Sequence, residues 1–233
     1  MDFGLDKKSN SLKTFNTIFI VIWLLLACFP FIWTFWGSFK VRADFFSRAD
    51  WWYAITAFNT LIETGARFTK EAYSGAWFEG EFWKASRNTV IVTISVVSIS
   101  LFLGTLGAYA LSRSTKNYAF WILIIALIFR AMPHITLVSG YLFPFFQLQI
   151  WGILPTTIVV LVAINQPFTL WLLYSFFKTV PKELDESALI DGCSYFQAFR
   201  HIIMPVMWPG VITAGLFSLM LAYNDFTVTA LLL

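Results

Sequence analysis

Polar side chains inside long apolar segments are the first residues in this sequence whose types could do chemistry. They are Arg130, Asn165, Gln166, Tyr223, Asn224 and Asp225. Polar groups are costly at membrane depth, so they mark either a path for a polar solute or a contact between helices. One interpretation is a polar layer along a shared internal path, in which Arg130 and Asp225 pair. A hydrogen-bonded helix contact is an equal alternative.

A second group of charged residues lies in a polar stretch, residues 181–205, between two apolar segments. Pro181 suits the first position of a helix. Three acids then fall in the first turns, where the helix dipole favours negative charge; they are Glu183, Asp185 and Glu186. Gly192 is a natural helix stop, because glycine readily adopts the left-handed conformation found at many helix ends.

A second helix is predicted directly after this glycine. Ser194 and Gln197 have the spacing of a capping box that opens a helix. Pro205 is expected to end that helix at the membrane. The stretch should therefore form a helix, a glycine turn and a helix, which together make a compact knob. The name knob is used below for residues 181–205.

The composition places both groups in an integral membrane protein. Of 233 residues, 58% are hydrophobic and only 12% are charged, whereas soluble domains average about 25% charged residues. No basic tract has the density of a nucleic-acid-binding protein. Neither Cys28 nor Cys193 has the spacing of a disulfide or metal motif. His134 and His201 are interpreted as isolated, hydrogen-bonded surface groups.

Five apolar segments reach the length of about 20 residues that a membrane-spanning helix needs. They run from Asn16 to Gly37, from Asn88 to Ser112, from Tyr118 to Gly140, from Leu154 to Phe177 and from Val211 to Leu233. The predicted fold class is therefore all-α, a polytopic helical membrane protein with about five spans. Lys and Arg residues near the span ends place the N-terminus, the link at 112–117 and the knob in the cytoplasm.

Two features of the spans predict how they pack. Small residues recur at every fourth position of the second span, which predicts a tight helix contact; they are Ser100, Gly104, Ala108 and Ser112. Pro133 and Pro167 each remove a backbone donor and favour a kink. A kink at Pro167 could line a wet cavity or could serve packing alone.

The spacing within the knob resembles the signature cytoplasmic loop of ABC-importer inner-membrane permeases, E-A-A-x3-G-x9-I-x-L-P. The matching residues are Glu186, Ser187, Ala188, Gly192, Ile202, Met204 and Pro205, and Asp191 also fits the common form. Ser187 and Met204 are mild departures. Further segments, including Ala108 to Arg113 and Asn224 to Phe226, resemble the maltose and glycerol-3-phosphate branch of this family. Tyr223 stands where that branch usually has Trp.

The resemblance implies a type I ABC-importer transmembrane fold in the bacterial inner membrane. Family members usually have six spans, so the chain is expected to lack the final sixth. The implied division is a cytoplasmic N-terminus at 1–15, a first span at 16–39, a periplasmic segment at 40–87 and a transmembrane core at 88–233 with its coupling loop at 178–207. The periplasmic segment is expected to form surface helices.

The resemblance also implies the partners. The sequence contains no G-x4-G-K-[ST] phosphate loop, so ATP and Mg²⁺ are expected on cytoplasmic ABC ATPase subunits. Glu186, Ala188 and Gly192 would sit in a groove of the ATPase. A second homologous permease, a periplasmic or lipid-anchored solute-binding protein and membrane lipids complete the expected assembly.

The resemblance to the maltose and glycerol-3-phosphate branch implies a sugar or sugar derivative as the solute, and amides and an aromatic ring would suit its hydroxyl groups. A polyamine or another small solute is the alternative within the family. A secondary transporter or channel would use Arg130 and Asp225 as relay groups, but it leaves the spacing of the knob unexplained.

Overall fold

The computed structural model describes residues 5–39, 71–115 and 118–232. All regular elements in these ranges are helical. The α-helices are α1 Leu5–Ser38, α2 Glu71–Ser74, α3 Phe82–Arg113, α4 Tyr118–Ala131, α5 His134–Gln147, α6 Leu154–Thr179, α7 Glu183–Ile190, α8 Tyr195–Ala198, α9 Met204–Tyr223 and α10 Phe226–Leu232. Two π-helical turns, π1 Gly75–Glu79 and π2 Phe199–Ile203, complete the set. The chain divides into two units, Met1–Trp83 and Lys84–Leu233.

The first unit contains α1, whose apolar stretch Leu12–Phe35 has no buried residues. A helix that is apolar all round and exposed suits a lipid environment. α1 begins at Leu5, earlier than the predicted span start. Much of the predicted periplasmic segment, residues 40–70, lies outside the described residues. Its last residues, from Phe82 onward, already belong to α3.

Four described helices are long and apolar enough to cross a membrane, and a bent pair raises the number to five. The bent pair is α4 and α5, which meet at 90°. The predicted third span, Tyr118 to Gly140, is therefore broken at Pro133, where the sequence predicted a kink. Pro133 has a φ of −57° and a ψ of 129°, which is not helical. A proline also forces the residue before it out of the helical region, so the helix ends there.

The second unit is arranged around α6, which packs against α4, α9 and α10. The four small residues predicted to form a packing stripe on α3 are all buried, as expected. A Cβ at Gly104 would lie 3.1 Å from Leu173 Cδ1 and 3.2 Å from Thr169 Cγ2, both on α6. Small side chains thus let the two helices approach closely. Pro167 lies inside α6, which continues through it.

The end of the chain departs from prediction in two ways. Pro205 lies in the first turn of α9 and does not end the preceding helix. The π2 turn, in which Met204 N–H donates to Phe199 C=O, joins α8 to α9 without a break. The fifth helix therefore starts before Val211 and ends at Tyr223, and Asn224 and Asp225 lie at a break before α10.

Candidate functional site

The glycine turn that follows α7 in the knob matches the sequence prediction. α7 ends at Ile190, and Gly192 follows with a φ of +86°. Cys193 N–H donates to Ala188 C=O at 3.0 Å and Gly192 N–H donates to Leu189 C=O at 3.1 Å. These bonds satisfy carbonyl groups at the helix end, and the positive φ is why glycine occupies this position.

The second helix of the knob is also opened as predicted. Gln197 N–H donates to Ser194 Oγ at 3.3 Å, and Ser194 N–H donates to Gln197 Oε1 at 2.8 Å. This reciprocal capping box fixes the start of α8. Because α8, π2 and α9 are continuous, the knob ends directly in a helix long enough to span a membrane.

The outer surface of the knob combines acidic and apolar side chains. Glu186 and Asp191 are exposed. Ile190, Tyr195 and Phe196 are also exposed, at 86%, 71% and 63% of their surface. A cluster of large exposed apolar residues is typical of a surface that binds another protein.

The remaining residues of the predicted motif do not all share this surface. Ala188 is only 1% exposed, so its methyl group packs inside the knob and cannot enter a partner's groove. The expected position of Ala188 in a partner's groove stays a prediction, in which its buried methyl group would not make the contact. Ile202 lies half-buried in π2, and Pro205 is exposed on α9.

The knob is attached to the rest of the unit through Asp185, the neighbour of Glu186. Asp185 is 8% exposed. Its Oδ2 lies 2.8 Å from Arg113 Nε, and its Oδ1 accepts a hydrogen bond from the Tyr109 hydroxyl. Sequence reasoning treated Asp185 only as one of three helix-favouring acids. Tyr109 and Arg113 lie four residues apart near the end of α3 and therefore share one face of that helix. This spacing was the signal in the sequence for a polar contact at that helix end.

Arg113 and Tyr109 also hold α6 and π2. Arg113 Nη1 donates to Phe177 C=O at 3.3 Å and to Val180 C=O at 3.0 Å, where α6 ends. The Tyr109 ring lies 5.7 Å from the ring of Phe177 and 4.9 Å from that of Phe199. The ends of α3 and α6, with α7 and π2, therefore meet at one buried cluster.

A second ionic cluster lies at the two helix breaks. Arg130 Nη1 is 2.8 Å from His134 Nε2, and His134 Nδ1 is 3.2 Å from Asp225 Oδ2. Arginine can only donate, so Nε2 must accept and the proton must lie on Nδ1, which donates to the carboxylate. The expected direct pairing of Arg130 with Asp225 is therefore replaced by a bridge, and His134 is not isolated.

Asp225 has a second role at the same break. Its Oδ1 accepts a hydrogen bond from Val228 N–H at 2.8 Å, which caps the first turn of α10. One carboxylate thus fixes the start of α10 and contacts the start of α5 through His134. The two helix breaks are joined to each other by this carboxylate.

The six polar residues predicted to line one path are divided among three places. Arg130 and Gln166 line a cleft of about 400 Å³ with His134. Tyr223, Asn224 and Asp225 line another, of about 460 Å³. Asn165 lines neither of these clefts, because it is 4% exposed and its Nδ2 donates to Ser218 Oγ at 2.7 Å.

The second cleft contains polar groups that sequence reasoning missed. Asn88, Thr89 and Thr93 of α3 face it together with Thr229 of α10. The Asn88 Oδ1 atom is buried and accepts no hydrogen bond. They lie on two helices that are far apart in the sequence, so their grouping becomes visible only when α3 and α10 are placed together. Among the described residues no group of three or more acidic, His or Cys side chains could hold a metal ion.

Comparison with known proteins identifies the class. Residues 99–233 match the family model described as the inner membrane component of binding-protein-dependent transport systems. The chain belongs to this family and is a multi-pass membrane protein.

Individual relatives agree with the family match. The chain is 30% identical over 217 residues to the diacetylchitobiose uptake system permease protein NgcG of Streptomyces coelicolor, covering 89% of this chain and 65% of NgcG. It is 31% identical over 209 residues to the trehalose/maltose transport system permease protein MalG of Thermococcus litoralis, covering 88% of this chain and 70% of MalG.

A solved structure shares the fold. The chain is similar to one chain of a bacterial ABC transporter involved in the import of the acidic polysaccharide alginate, with a TM-score of 0.74 at 20% identity. The match covers 100% of this chain and 78% of that one. It establishes the helical permease fold predicted from the sequence.

Proposed function

We propose that this chain is the permease subunit of an ATP-driven importer that moves a sugar or sugar derivative across a bacterial inner membrane. The observation that carries the proposal is the knob. It presents Glu186 and Asp191 beside three exposed apolar residues and continues directly into a long apolar helix. The relatives NgcG and MalG, named as sugar permeases, support the solute class.

The knob is proposed to dock on a cytoplasmic ATPase. Burial of Ile190, Tyr195 and Phe196 would supply hydrophobic contact area, and Glu186 would add a charged contact that fixes orientation. ATP and Mg²⁺ would be bound by the ATPase subunits. Because α8, π2 and α9 are continuous, a force on the knob would reach the membrane through a helical rod.

The proposed orientation places the knob and the N-terminus in the cytoplasm. Lys178, Lys182 and Arg200 lie at or next to the knob, and cytoplasmic loops carry such an excess of basic residues. A periplasmic or lipid-anchored solute-binding protein would then deliver the solute from the opposite side of the membrane.

The two clefts are the proposed path through the membrane. Arg130 and Gln166 would line one part, and Tyr223, Asn224 and Asp225 the other. Amide and carboxylate groups can bind sugar hydroxyls, and a second homologous permease subunit would close the clefts from the open side. Asn165 supports the helix contact and is not part of this proposed path.

A secondary transporter is the second candidate, because the Arg130, His134 and Asp225 bridge contains ionisable groups at membrane depth. The two candidates differ in what they require of Glu186. A permease needs Glu186 for its ATPase, whereas a secondary transporter is indifferent to it.

Glu186→Ala separates the two candidates. We expect co-purification of the ATPase to fall at least about tenfold, because loss of a central interface residue costs well over 1 kcal/mol. Glu183→Gln, an exposed change in the same helix, is the matched control and should leave it unchanged. Full uptake by Glu186→Ala without bound ATPase would overturn the proposal.

A further inference from the structure

Two adjacent acids of α7 have opposite surroundings. Glu186 is exposed, whereas Asp185 is buried against Arg113 and Tyr109. The family motif contains Glu186, and the proposed function uses it as the contact to the ATPase. Asp185 points into the permease itself and needs a separate explanation.

Stability alone explains this arrangement poorly. Removing two charges from water is costly, and well-packed apolar residues of similar volume often serve stability equally well. A buried pair does, however, fix which groups meet and in which orientation. Here it joins α7 to the last turn of α3, and Arg113 also binds the carbonyl groups at the end of α6. The three residues Tyr109, Arg113 and Asp185 are called the latch below.

The helix that carries the latch reaches one of the clefts. α3 is a single helix from Phe82 to Arg113. The distance along its axis from Arg113 to Asn88 is roughly 38 Å at 1.5 Å per residue. Asn88 and Thr93 of this helix line the cleft of about 460 Å³ with Tyr223, Asn224 and Asp225.

We propose that the latch transmits movement between the knob and this cleft, with Asp185 as a positioning residue that makes α3 follow α7. This inference rests on the proposed function. The ATPase would act on the exposed face of α7, and the buried face would pull on α3. The cleft would then change shape because one of its walls is the other end of the same helix.

The attachment itself is tested by hydrogen exchange on the purified complex of permease and partner subunits. Asp185→Asn keeps the shape of the side chain but removes its charge. We expect the amides of residues 183–190 to exchange about tenfold faster or more, because Arg113 is left buried without its counter-charge and local opening becomes easier. Glu183→Gln is the matched control. Equal exchange in both variants would overturn the latch.

Tyr109→Phe provides a second variant that removes only one hydroxyl group. We expect a smaller rise in exchange, and adding Tyr109→Phe to Asp185→Leu, which removes both carboxylate oxygens, should cause no further rise because the two residues share one contact. If Asp185→Asn does not fold, the exchange measured for Tyr109→Phe tests the latch by itself. Additive effects of the two changes, or no effect of Tyr109→Phe, would contradict a shared contact.

Transmission is tested by the number of solute molecules transported per ATP hydrolysed in proteoliposomes. We expect this ratio to fall at least about fivefold in Asp185→Asn at unchanged ATPase content, since coupling free energies between sites are of this size. A residue that serves stability alone would lower the yield of complex and leave the ratio unchanged, which would overturn the proposal. Failure of the wild-type chain to bind any ATPase would overturn the proposed function, while the same exchange comparison on the purified chain alone would still decide the attachment of α7 to α3.

Discussion

Two ionic clusters among the described residues join helices in different ways. In the latch, a carboxylate meets a guanidinium directly at 2.8 Å, where α3 and α6 end. In the other cluster, a neutral imidazole separates Arg130 from Asp225, at two places where helices are broken. A direct ion pair fixes the relative position of its two side chains. The geometry of the bridge depends in addition on which ring nitrogen of His134 donates and which accepts. We therefore expect the latch to transmit movement between helices, and we expect the bridge to hold the two helix breaks together.

The largest effect on stability is expected at the middle of the bridge. His134→Leu leaves Arg130 and Asp225 without their shared partner, so the free energy of unfolding should fall by about 2–4 kcal/mol. Thermal unfolding of the purified chain in detergent would measure this.

His134→Gln sharpens the comparison, because a glutamine amide can accept from Arg130 and donate to Asp225 as the assigned tautomer does. It should retain most of the stability lost in His134→Leu. Equal losses in both variants would mean that the ring matters for its volume and not for its hydrogen bonds.

A medium effect is expected at the glycine turn that positions the knob beside the latch. Gly192→Ala places a side chain at a φ of +86°, which should cost about 1–2 kcal/mol. Gly140→Ala is the control, because Gly140 lies inside α5 with nothing within 4 Å of the added methyl. That change should be neutral or stabilising by up to about 1 kcal/mol. Denaturant titration of both variants in micelles would compare them, and equal effects would refute the role of the turn.

The smallest effect is expected at a helix contact that involves no charge. Asn165→Ala removes one neutral hydrogen bond, to Ser218, and should cost about 0.5–1.5 kcal/mol. Solute selectivity should stay unchanged, since Asn165 lines neither cleft described above. A changed uptake profile would return Asn165 to the proposed path.

Local features of the knob could be predicted because their causes lie within a few residues. The turn at Gly192 and the capping box of Ser194 and Gln197 each depend on contacts between near neighbours. The helical fold followed from the lengths of the apolar segments, and the family from the resemblance of the knob to a known permease loop. All these predictions are confirmed.

Features that depend on distant contacts could not be predicted. Asp185 and Glu186 are chemically similar neighbours. Which of the two is buried depends on contacts with the end of α3, where Tyr109 lies 76 residues from Asp185 in the sequence. The partner of Arg130 is likewise set by the bend at Pro133, whose size depends on how α5 packs against α10. Pro205 was misjudged because the π2 turn before it lets the helix continue.

The central claim is that the knob couples this chain to a separate ATPase. The most direct measurement is solute uptake and ATP hydrolysis in proteoliposomes that contain the chain with the ATPase, second permease and solute-binding protein from the same gene cluster. The account predicts ATP-dependent uptake by the wild-type chain and its loss in Glu186→Ala, with Glu183→Gln unaffected. Uptake that persists in Glu186→Ala, or that proceeds without ATPase and ATP, would contradict it.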